Sequence, residues 1–405
     1  MTDSQLVSLF QSVKAVEGVL QVYNTDLTAI TFTKNIRNLT GDPLDKMLSI
    51  SNNTKLISID LSALNSSNGR IQVQNNPTLD LKSNCPTVHS VFFTRRLISG
   101  NLFDCGCELK IPFKWPDIRD FPKNCIVLYG NIVLEGASPP PEVLYRLSSI
   151  TILYGYIMVS DTNLETLGFL QNLEEIESGP DAEFTLAIRN NFFLSRLDLV
   201  KLRSIKSRNA DSDVEFSSSS GDLCVDPAFI QTLAQSDLRD IKNYDTLKFC
   251  PMDKMNNPSL YCSGKLSSVN DRCTMYIGNM LYFNEPFFTL QEKFNYTKVP
   301  EADYKKMQQF EVIFGTIHIE ASNLTSFTLP NLKEIYQIEH LYENYEQFYL
   351  NNVIIAYQLV SFADNTNLTT DDDFCRRVTN GTKRMILGFN SDYDCRPYMA
   401  ELTTL

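Results

Sequence analysis

The chain has 405 residues, of which 43% are hydrophobic and 21% charged, and its formal net charge is −12. This length suits two to four domains with hydrophobic cores, and the composition is that of a folded protein. The negative charge, without a basic stripe, argues against nucleic acid and anionic membrane surfaces as partners. No stretch reaches the roughly 18 uninterrupted apolar residues of a spanning helix, so we expect no membrane insertion.

The first patterned segment is VKAVEGVLQVYNTDLTAI, residues 13–30. Apolar and polar residues alternate after Gly18, which predicts a strand with one buried face. Leu20 and Val22 are expected to point inward. The residues expected to point outward are Val19, Gln21 and Tyr23.

The same signature of glycine, strand, polar turn and leucine returns twice. It reads SSITILYGYIMVSDTNLETLGFLQNLEEI at 148–176 and QQFEVIFGTIHIEASNLTSFTLPNLKEI at 308–335. In the second copy Ile157 and Val159 should point inward, with Tyr156 and Met158 outward. A β-sandwich does not repeat such a signature, so we interpret the chain as mainly β and as a solenoid whose Asn-rich corners bond the backbone.

Ten cysteines are clustered along the chain, with long cysteine-free spans between the clusters. The three histidines, His89, His318 and His340, are not spaced as ligand pairs, so we expect no metal site and no cofactor. Clusters of this kind favour disulfides in an oxidising compartment. The cysteines concerned are Cys85, Cys105, Cys107, Cys125, Cys224, Cys250, Cys262, Cys273, Cys375 and Cys395.

Sequons for N-glycosylation also favour an extracellular, secreted or cell-surface protein. They lie at Asn38, Asn52, Asn65, Asn295, Asn323, Asn367 and Asn380. The amino-terminal residues MTDSQLVSLFQSVKAVEGVL lack the features of a signal peptide. Either a leader is missing from this sequence or the protein is cytosolic.

These segments resemble the receptor L domains of the insulin and epidermal-growth-factor receptors. The features in common are an opening strand, as in NCIVLYGNIVL at 124–134 and RCTMYIGNMLYF at 272–283, followed by the glycine–strand–leucine stretch. The likeness is greatest to the insulin/EGF-receptor-L-domain proteins of nematodes. It implies tandem right-handed β-solenoid L domains, leucine-rich-repeat-like, with short helices and disulfide staples, and without a transmembrane segment or kinase.

The resemblance also implies domain boundaries and a disulfide pairing. The first domain, 1–104, lacks an opening strand before Gly18 and is expected to be a partial L domain with its N-terminal part missing. A Cys-containing linker (105–124), an L domain (125–250), a linker (251–272), an L domain (273–395) and a tail (396–405) follow. The implied bridges are Cys85–Cys105, Cys107–Cys125, Cys224–Cys250, Cys262–Cys273 and Cys375–Cys395, although Cys105 and Cys107 could exchange roles.

No catalytic motif is recognisable in the sequence, so we expect no enzyme and assign no catalytic residue. Asp371–Asp373 could be calcium ligands or catalytic carboxylates, but a solvated corner explains them better. Trp115 is expected at an inter-domain seam, and His318 at a surface position. The segment YQIEHLYENYEQFY at 336–349 is expected to pack on the side of the solenoid rather than to form a binding patch.

Binding is therefore the function that the sequence favours, with an unidentified peptide or protein ligand such as an insulin-like peptide. Exposed apolar and aromatic residues on a flat sheet suit such a ligand. The candidate ligand-binding residues are Val19, Gln21, Tyr23, Tyr156 and Met158. The alternative is a structural or adhesive cell-surface glycoprotein that pairs with other L-domain proteins.

Overall fold

The structure, a computed structural model, describes residues 2–278 except 43, 45, 94, 110–117, 120, 218–222, 237–239, 243–247 and 256. It further describes 280–282, 301–315, 317–320, 326–327, 329–336, 360–363 and 369–370. Several predictions lie outside these residues. They concern Cys375–Cys395, Asn295, Asn323, Asn367, Asn380, Trp115, His340, Asp371–Asp373, residues 337–349 and the side chain of His318.

The chain is mainly β, and its strands form three successive stacks. The first stack contains α1 (Asp3–Phe10), β1 (Ala15–Glu17), β2 (Leu20–Tyr23), β3 (Ala29–Ile30), β4 (Asn38–Thr40), β5 (Lys46–Ser51), β6 (Ser58–Ile59), β7 (Ser66–Ser67), β8 (Arg70–Gln74), α2 (Cys85–Phe92) and β9 (Arg96–Ser99).

The second stack is the longest. It contains β10 (Cys107–Glu108), β11 (Val127–Tyr129), β12 (Ile132–Glu135), α3 (Pro141–Leu144), β13 (Ile152–Tyr154), β14 (Ile157–Ser160), β15 (Glu175–Ser178), β16 (Phe184–Arg189), β17 (Ser204–Ser207), β18 (Asp213–Ser217), β19 (Cys224–Val225), α4 (Pro227–Ala234), β20 (Asp240–Lys242) and β21 (Lys248–Phe249).

The third stack contains β22 (Tyr261–Ser263), β23 (Met275–Ile277), β24 (Met280–Tyr282), α5 (Glu301–Met307), β25 (Val312–Phe314), β26 (Ile317–Glu320), β27 (Ser326–Phe327), β28 (Glu334–Tyr336), β29 (Val360–Ala363) and β30 (Thr369–Thr370).

Each circuit of the chain adds one strand to each of the long sheets of a stack. The first stack has sheets β1-β4-β7, β2-β5-β8-β9 and β3-β6, and the second has β10-β11-β13-β15-β17, β12-β14-β16-β18-β20 and β19-β21. The third has β22-β23-β25-β28, β24-β26-β29 and β27-β30. Neighbouring strands run parallel, as in β14 against β16. Parallel pairing between successive circuits places residues with the same position in each circuit side by side.

Apolar side chains of every circuit meet inside the stack. The predicted inward residues Ile157 and Val159 are fully buried, as is Ile317 in the third stack, which confirms those predictions. Leu20 is half-buried, and helix α1 lies nearby, with Leu6, Val7 and Phe10 packed against the core of the first stack. The alternation seen in the sequence is therefore the alternation between core and surface.

Glycine at the corner between the two long sheets permits the circuits to approach closely. A Cβ atom on Gly155 would lie 2.2 Å from the carbonyl oxygen of Gly130 in the preceding circuit. The amide of Gly155 donates to the carbonyl of Glu177 in the next circuit at 2.8 Å. Only a residue without a side chain fits at Gly155, whereas Gly18 has open space around it and a φ of 99°, a conformation that favours glycine.

By contacts between Cα atoms the chain forms two compact units. One comprises Met1–Asn191, Lys201–Glu215 and Ser236–Asp240, and the other Phe192–Val200, Phe216–Gln235 and Ile241–Leu405. Cys107 and Glu108, which fall in the expected linker 105–124, form a strand that pairs with β11. The domain boundaries stated from the sequence remain a prediction.

Candidate functional site

Three asparagines, two of them fully buried, hold the corner that follows the second long sheet of the first stack. Asn53, Asn76 and Asn101, here called the asparagine ladder, occupy the same position in three successive circuits. Each donates through Nδ2 to a backbone carbonyl of the preceding circuit, at 3.1, 3.2 and 2.9 Å respectively. Asn53 and Asn76 also donate through Nδ2 to the next ladder side chain, at 3.1 and 2.9 Å. The residue before each of these two, Asn52 or Asn75, has φ of 57°, a conformation that Asn tolerates well.

The ladder fixes a flat surface made by the outward side chains of β2, β5, β8 and β9, here called the first face. The register places these side chains in two rows, Gln21–Ser49–Gln72–Leu97 and Tyr23–Ser51–Gln74–Ser99. Gln72 donates to Gln74 at 2.7 Å, and Gln74 donates to Ser99 at 2.9 Å. The middle of the first face is therefore polar but uncharged and internally bonded.

Large apolar side chains border this polar centre. Val19, Tyr23 and Leu97 are 50%, 56% and 44% exposed. Gln21 is also exposed. The structure thus places the predicted residues Val19, Gln21 and Tyr23 together at one edge, on β2 or directly before it. The sequence analysis did not include Leu97 among the candidate residues. The alternation of residues in β9 could have indicated that this side chain points outward.

The corresponding face of the second stack carries the predicted residues Tyr156 and Met158. Both are half-buried, and Met158 lies between Val133 and Ala187 in the register of β12, β14 and β16. Tyr156 packs edge-on against Phe184 with the ring centroids 4.9 Å apart. These two side chains are less available to a ligand than those of the first face because neighbouring circuits cover part of each.

Helix α2 covers the other long sheet of the second stack, and we call this contact the α2 junction. The ring of His89 lies over that of Tyr154 with the centroids 3.8 Å apart. His89 Nε2 is 3.1 Å from Glu177 Oε2, and Arg208 donates through Nε to Glu177 Oε1 at 2.7 Å. The guanidinium of Arg208 also lies 4.1 Å from the centre of the Phe93 ring. Aromatic packing, the contact between His89 and Glu177, and the guanidinium of Arg208 together hold the helix on this sheet.

The pKa values of Glu177 and Tyr154 in the α2 junction differ from those of the free side chains. Partial burial opposes the charged form of Glu177, but hydrogen bonds and positive charge from His89 and Arg208 outweigh it and lower its pKa to about 2. Burial, with the neighbouring Tyr129 and Glu175, raises the pKa of Tyr154 to about 12. Glu177 is therefore an anion and Tyr154 a neutral phenol at any physiological pH.

Helix α4 makes a similar contact with the third stack. Gln231 donates to Glu334 Oε2 at 2.5 Å, and Gln235 donates to Glu334 Oε1 at 2.9 Å. Tyr336 also donates to Glu334, at 2.7 Å, and its ring stacks on that of Phe314. The sheets under α2 and α4 are thus occupied by the chain itself.

Disulfides join cysteines next to the two helices and at the start of the later stacks. The bridges are Cys85–Cys105, Cys107–Cys125, Cys224–Cys250 and Cys262–Cys273. They match four of the five pairings that the resemblance implied, and the exchange of Cys105 and Cys107 does not occur. Cys105 is buried in the core of the first stack, while Cys107 is the first residue of β10.

Three predicted sequons lie in the described part of the chain. Asn38 and Asn65 are exposed, and Asn52 is half-buried. Asn38 is on β4 opposite Ser66 of β7, whose hydroxyl donates to Asn38 Oδ1 at 2.9 Å. Asn38 on β4 and Asn65, the residue directly before β7, therefore lie at neighbouring strands of the β1-β4-β7 sheet, apart from the first face.

Among the described residues, no group of histidine, cysteine or carboxylate side chains is arranged to hold a metal ion. No described helix is long and apolar enough to cross a membrane. The first face presents uncharged polar and apolar groups, which suit recognition of a partner.

Comparison with known proteins agrees with this architecture. The family model described as "Receptor L domain" matches residues 1–87 and 124–234. These two segments are similar to receptor L domains. The matched residues cover β2, β5 and β8 of the first face, and the second match reaches the end of α4.

A curated relative from Caenorhabditis elegans, Protein irld-34, is 22% identical to this chain over 252 residues. The alignment covers 58% of the chain and 58% of the relative, so the chain spans under two thirds of that protein. Receptor L domains are non-catalytic ligand-binding domains, and disulfide-rich examples are typically extracellular.

Proposed function

We propose that this protein is a non-catalytic extracellular binding protein that captures a peptide or protein ligand, such as an insulin-like peptide, through the first face. The observation that carries the proposal is the contrast between sheets. The sheets beneath α2 and α4 are covered by the chain itself, whereas the first face presents Tyr23, Leu97 and Val19 to solvent. Exposed aromatic and aliphatic anchors around a bonded polar centre are typical of protein-recognition surfaces.

The proposal extends to the architecture and the compartment. Each stack is a right-handed β-solenoid, since right-handed crossovers join parallel strands in nearly all proteins, and residues 273–395 form a further L domain. Four disulfides suit secretion or display at the cell surface. Glycans at Asn38 and Asn65 would cover the β1-β4-β7 sheet and leave the first face open.

The test measures binding of a panel of insulin-like peptides to immobilised protein by surface plasmon resonance. The informative variants are Tyr23→Ser and Leu97→Ser, which remove exposed anchors without touching the core. Each should weaken binding about tenfold, because loss of an interface anchor costs on the order of 1–2 kcal/mol. Tyr145→Ser is the matched control, since Tyr145 is 60% exposed and lies in a short helix outside the first face.

Two results would contradict the proposal. If no peptide of the panel binds saturably, an insulin-like ligand is excluded. If a peptide binds but the three variants behave alike, the ligand uses another surface.

A second candidate is an adhesive protein that pairs with L-domain proteins. It is favoured by exposed apolar residues near the short β3-β6 sheet of the first stack. Ile57, Leu102 and Phe103 are 59%, 66% and 43% exposed. The amide of Asp80 donates to the carbonyl of Ile57, and Asp80 forms a backbone bridge with Phe103, so these residues lie in neighbouring circuits. In that case sedimentation would show concentration-dependent self-association without added peptide.

A further inference from the structure

Three cations stand side by side where the strands of the first face begin. Lys46 on β5 is opposite Arg70 on β8. The amide of Ile71 donates to the carbonyl of Arg95 at 2.9 Å, which places Arg95 beside Arg70 in the next circuit. All three side chains are exposed. We call them the basic row; their strands are spaced by about 4.8 Å.

The first face contains no carboxylate to balance this row. The strands LQVY, KMLSIS, RIQVQ and RLIS have no Asp or Glu, whereas the whole chain has 48 acidic against 36 basic residues. Among the described residues, Lys46 and Arg70 form no ion pair. Arg95 donates to the carbonyl of Asn68 at 2.7 Å, which neutralises no charge.

The neighbouring Arg96 shows how a structural arginine differs from the row. Its side chain is 3% exposed and pairs with Glu108 at 2.9 Å, and it lies over the ring of Tyr129 at 3.4 Å. That arginine serves the contact between the first and second stacks. Within the described part of the chain the three residues of the basic row pair with no carboxylate, so we infer that their charge is available to a ligand.

We propose that the segment bound by the first face is acidic, with its carboxylates on the basic row and an apolar side chain on Leu97 or Tyr23. The inference rests on the proposed function and names the chemistry of the partner. The step from Arg95 to Leu97 is two residues along β9, about 7 Å. A bound peptide with acidic and apolar residues at positions i and i+2 in extended form, or i and i+4 in a helix, matches that distance.

An acidic peptide fits better than a sulfated polysaccharide. The row has three cations only, and the surface beside it offers Leu97, Tyr23 and a bonded glutamine pair rather than further cations. A polysaccharide would gain nothing from those apolar groups. Charge complementarity of this kind mainly raises the association rate and weakens with salt.

The experiment uses fluorescence anisotropy and two synthetic, fluorescein-labelled peptides. In one, three glutamates alternate with leucines; in the other, glutamines replace the glutamates. The test variant is Lys46→Gln with Arg70→Gln. The control variant is Lys34→Gln with Lys82→Gln, which removes two exposed lysines that lie outside the four strands. Circular dichroism verifies that both variants retain the fold.

The glutamate peptide should bind the full-length chain at least tenfold more tightly than the glutamine peptide. The test variant should lose that preference, the control variant should keep it, and raising the salt from about 50 to 300 mM should reduce it. Equal binding of the two peptides, no binding of the glutamate peptide, or an unaffected test variant would each overturn the proposal.

The same variants, tested with insulin-like peptides and with heparin, distinguish failure of this proposal from failure of the proposed function. If insulin-like peptides bind in a manner sensitive to Tyr23→Ser and Leu97→Ser but not to Lys46→Gln with Arg70→Gln, the first face binds without charge selection. If heparin competes with the glutamate peptide and Tyr23→Ser and Leu97→Ser do not weaken that peptide's binding, the row is a polyanion site and the peptide proposal is wrong.

Discussion

Asn76 shows how a single side chain can hold three circuits together. It is fully buried, accepts hydrogen bonds from the amide of Asn53 at 3.0 Å and from its side chain at 3.1 Å, and donates to Ile50 and Asn101. A buried polar group is tolerable only when its hydrogen bonds are complete. This set of bonds ties the strand ends of the first face to one another.

Replacement of Asn76 by alanine should lower the free energy of unfolding by about 2–4 kcal/mol. The change leaves the amide of Asn53 without its acceptor and removes the side-chain bonds to Ile50 and Asn101, and a buried group without a partner costs roughly 1–3 kcal/mol. The measurement is equilibrium unfolding in urea. Thr54→Ala, at an exposed position of the same corner, is the control and should change stability by less than about 0.5 kcal/mol. Equal effects of the two substitutions would mean that Asn76 of the asparagine ladder does not stabilise the fold through its buried hydrogen bonds.

At the scale of the element, helix α2 contacts both the first stack and the second. Pro86 lies in its first turn, where a missing amide costs nothing. Its buried side chains Val88 and Phe92 belong to the core of the first stack, while His89 faces Tyr154 and Glu177. The helix therefore has one side in each stack.

From the ion pair in the α2 junction we expect the stability of the fold to depend on pH. Because the pKa of Glu177 is about 2 in the folded protein against 4.5 for the free group, its ionised form stabilises the fold above about pH 4.5. That contribution is lost as the pH falls through about 2. The free energy of unfolding, measured in urea between pH 6 and 2.5, should therefore fall more steeply with decreasing pH for the wild type than for Glu177→Gln. Glu135→Gln, which changes an exposed carboxylate on β12 in the second stack, is the control and should follow the wild type. Parallel curves for all three proteins would refute the ion-pair account.

Local patterns predicted some elements but not the contacts between distant ones. Alternation around Gly155 placed Ile157 and Val159 in the core, because a strand with one buried face has a period of two. The same logic placed Tyr23 at the surface, 56% exposed. The pairing of His89 with Glu177 spans 88 residues and leaves no periodic signal. Leu97 and the basic row likewise become one surface only through the register of separate circuits.

At the scale of the whole molecule, the disulfides lie where one stack ends and the next begins. Cys105 and Cys107 are separated by one residue, yet the first bonds back to Cys85 beside α2 and the second forward to Cys125 beside β11. Cys224 on β19 bonds to Cys250, the residue directly after β21. Each bridge thus closes a short loop at an end of a stack, where unpaired strand edges would otherwise be available for aggregation.

Two measurements on the cysteines test this arrangement and the proposed compartment together. Protein from a secretory host, denatured without reductant, should show no reactive thiol, and ten thiols would exclude the extracellular interpretation.

Cys85→Ser with Cys105→Ser should lower the free energy of unfolding by about 3 kcal/mol, because a bridge spanning 20 residues restricts the unfolded chain. Cys262→Ser with Cys273→Ser, spanning 11 residues, is the matched comparison and should cost slightly less. If the first pair costs nothing while the second does, the end of the first stack is held by its packing against the second stack through α2 rather than by its disulfide.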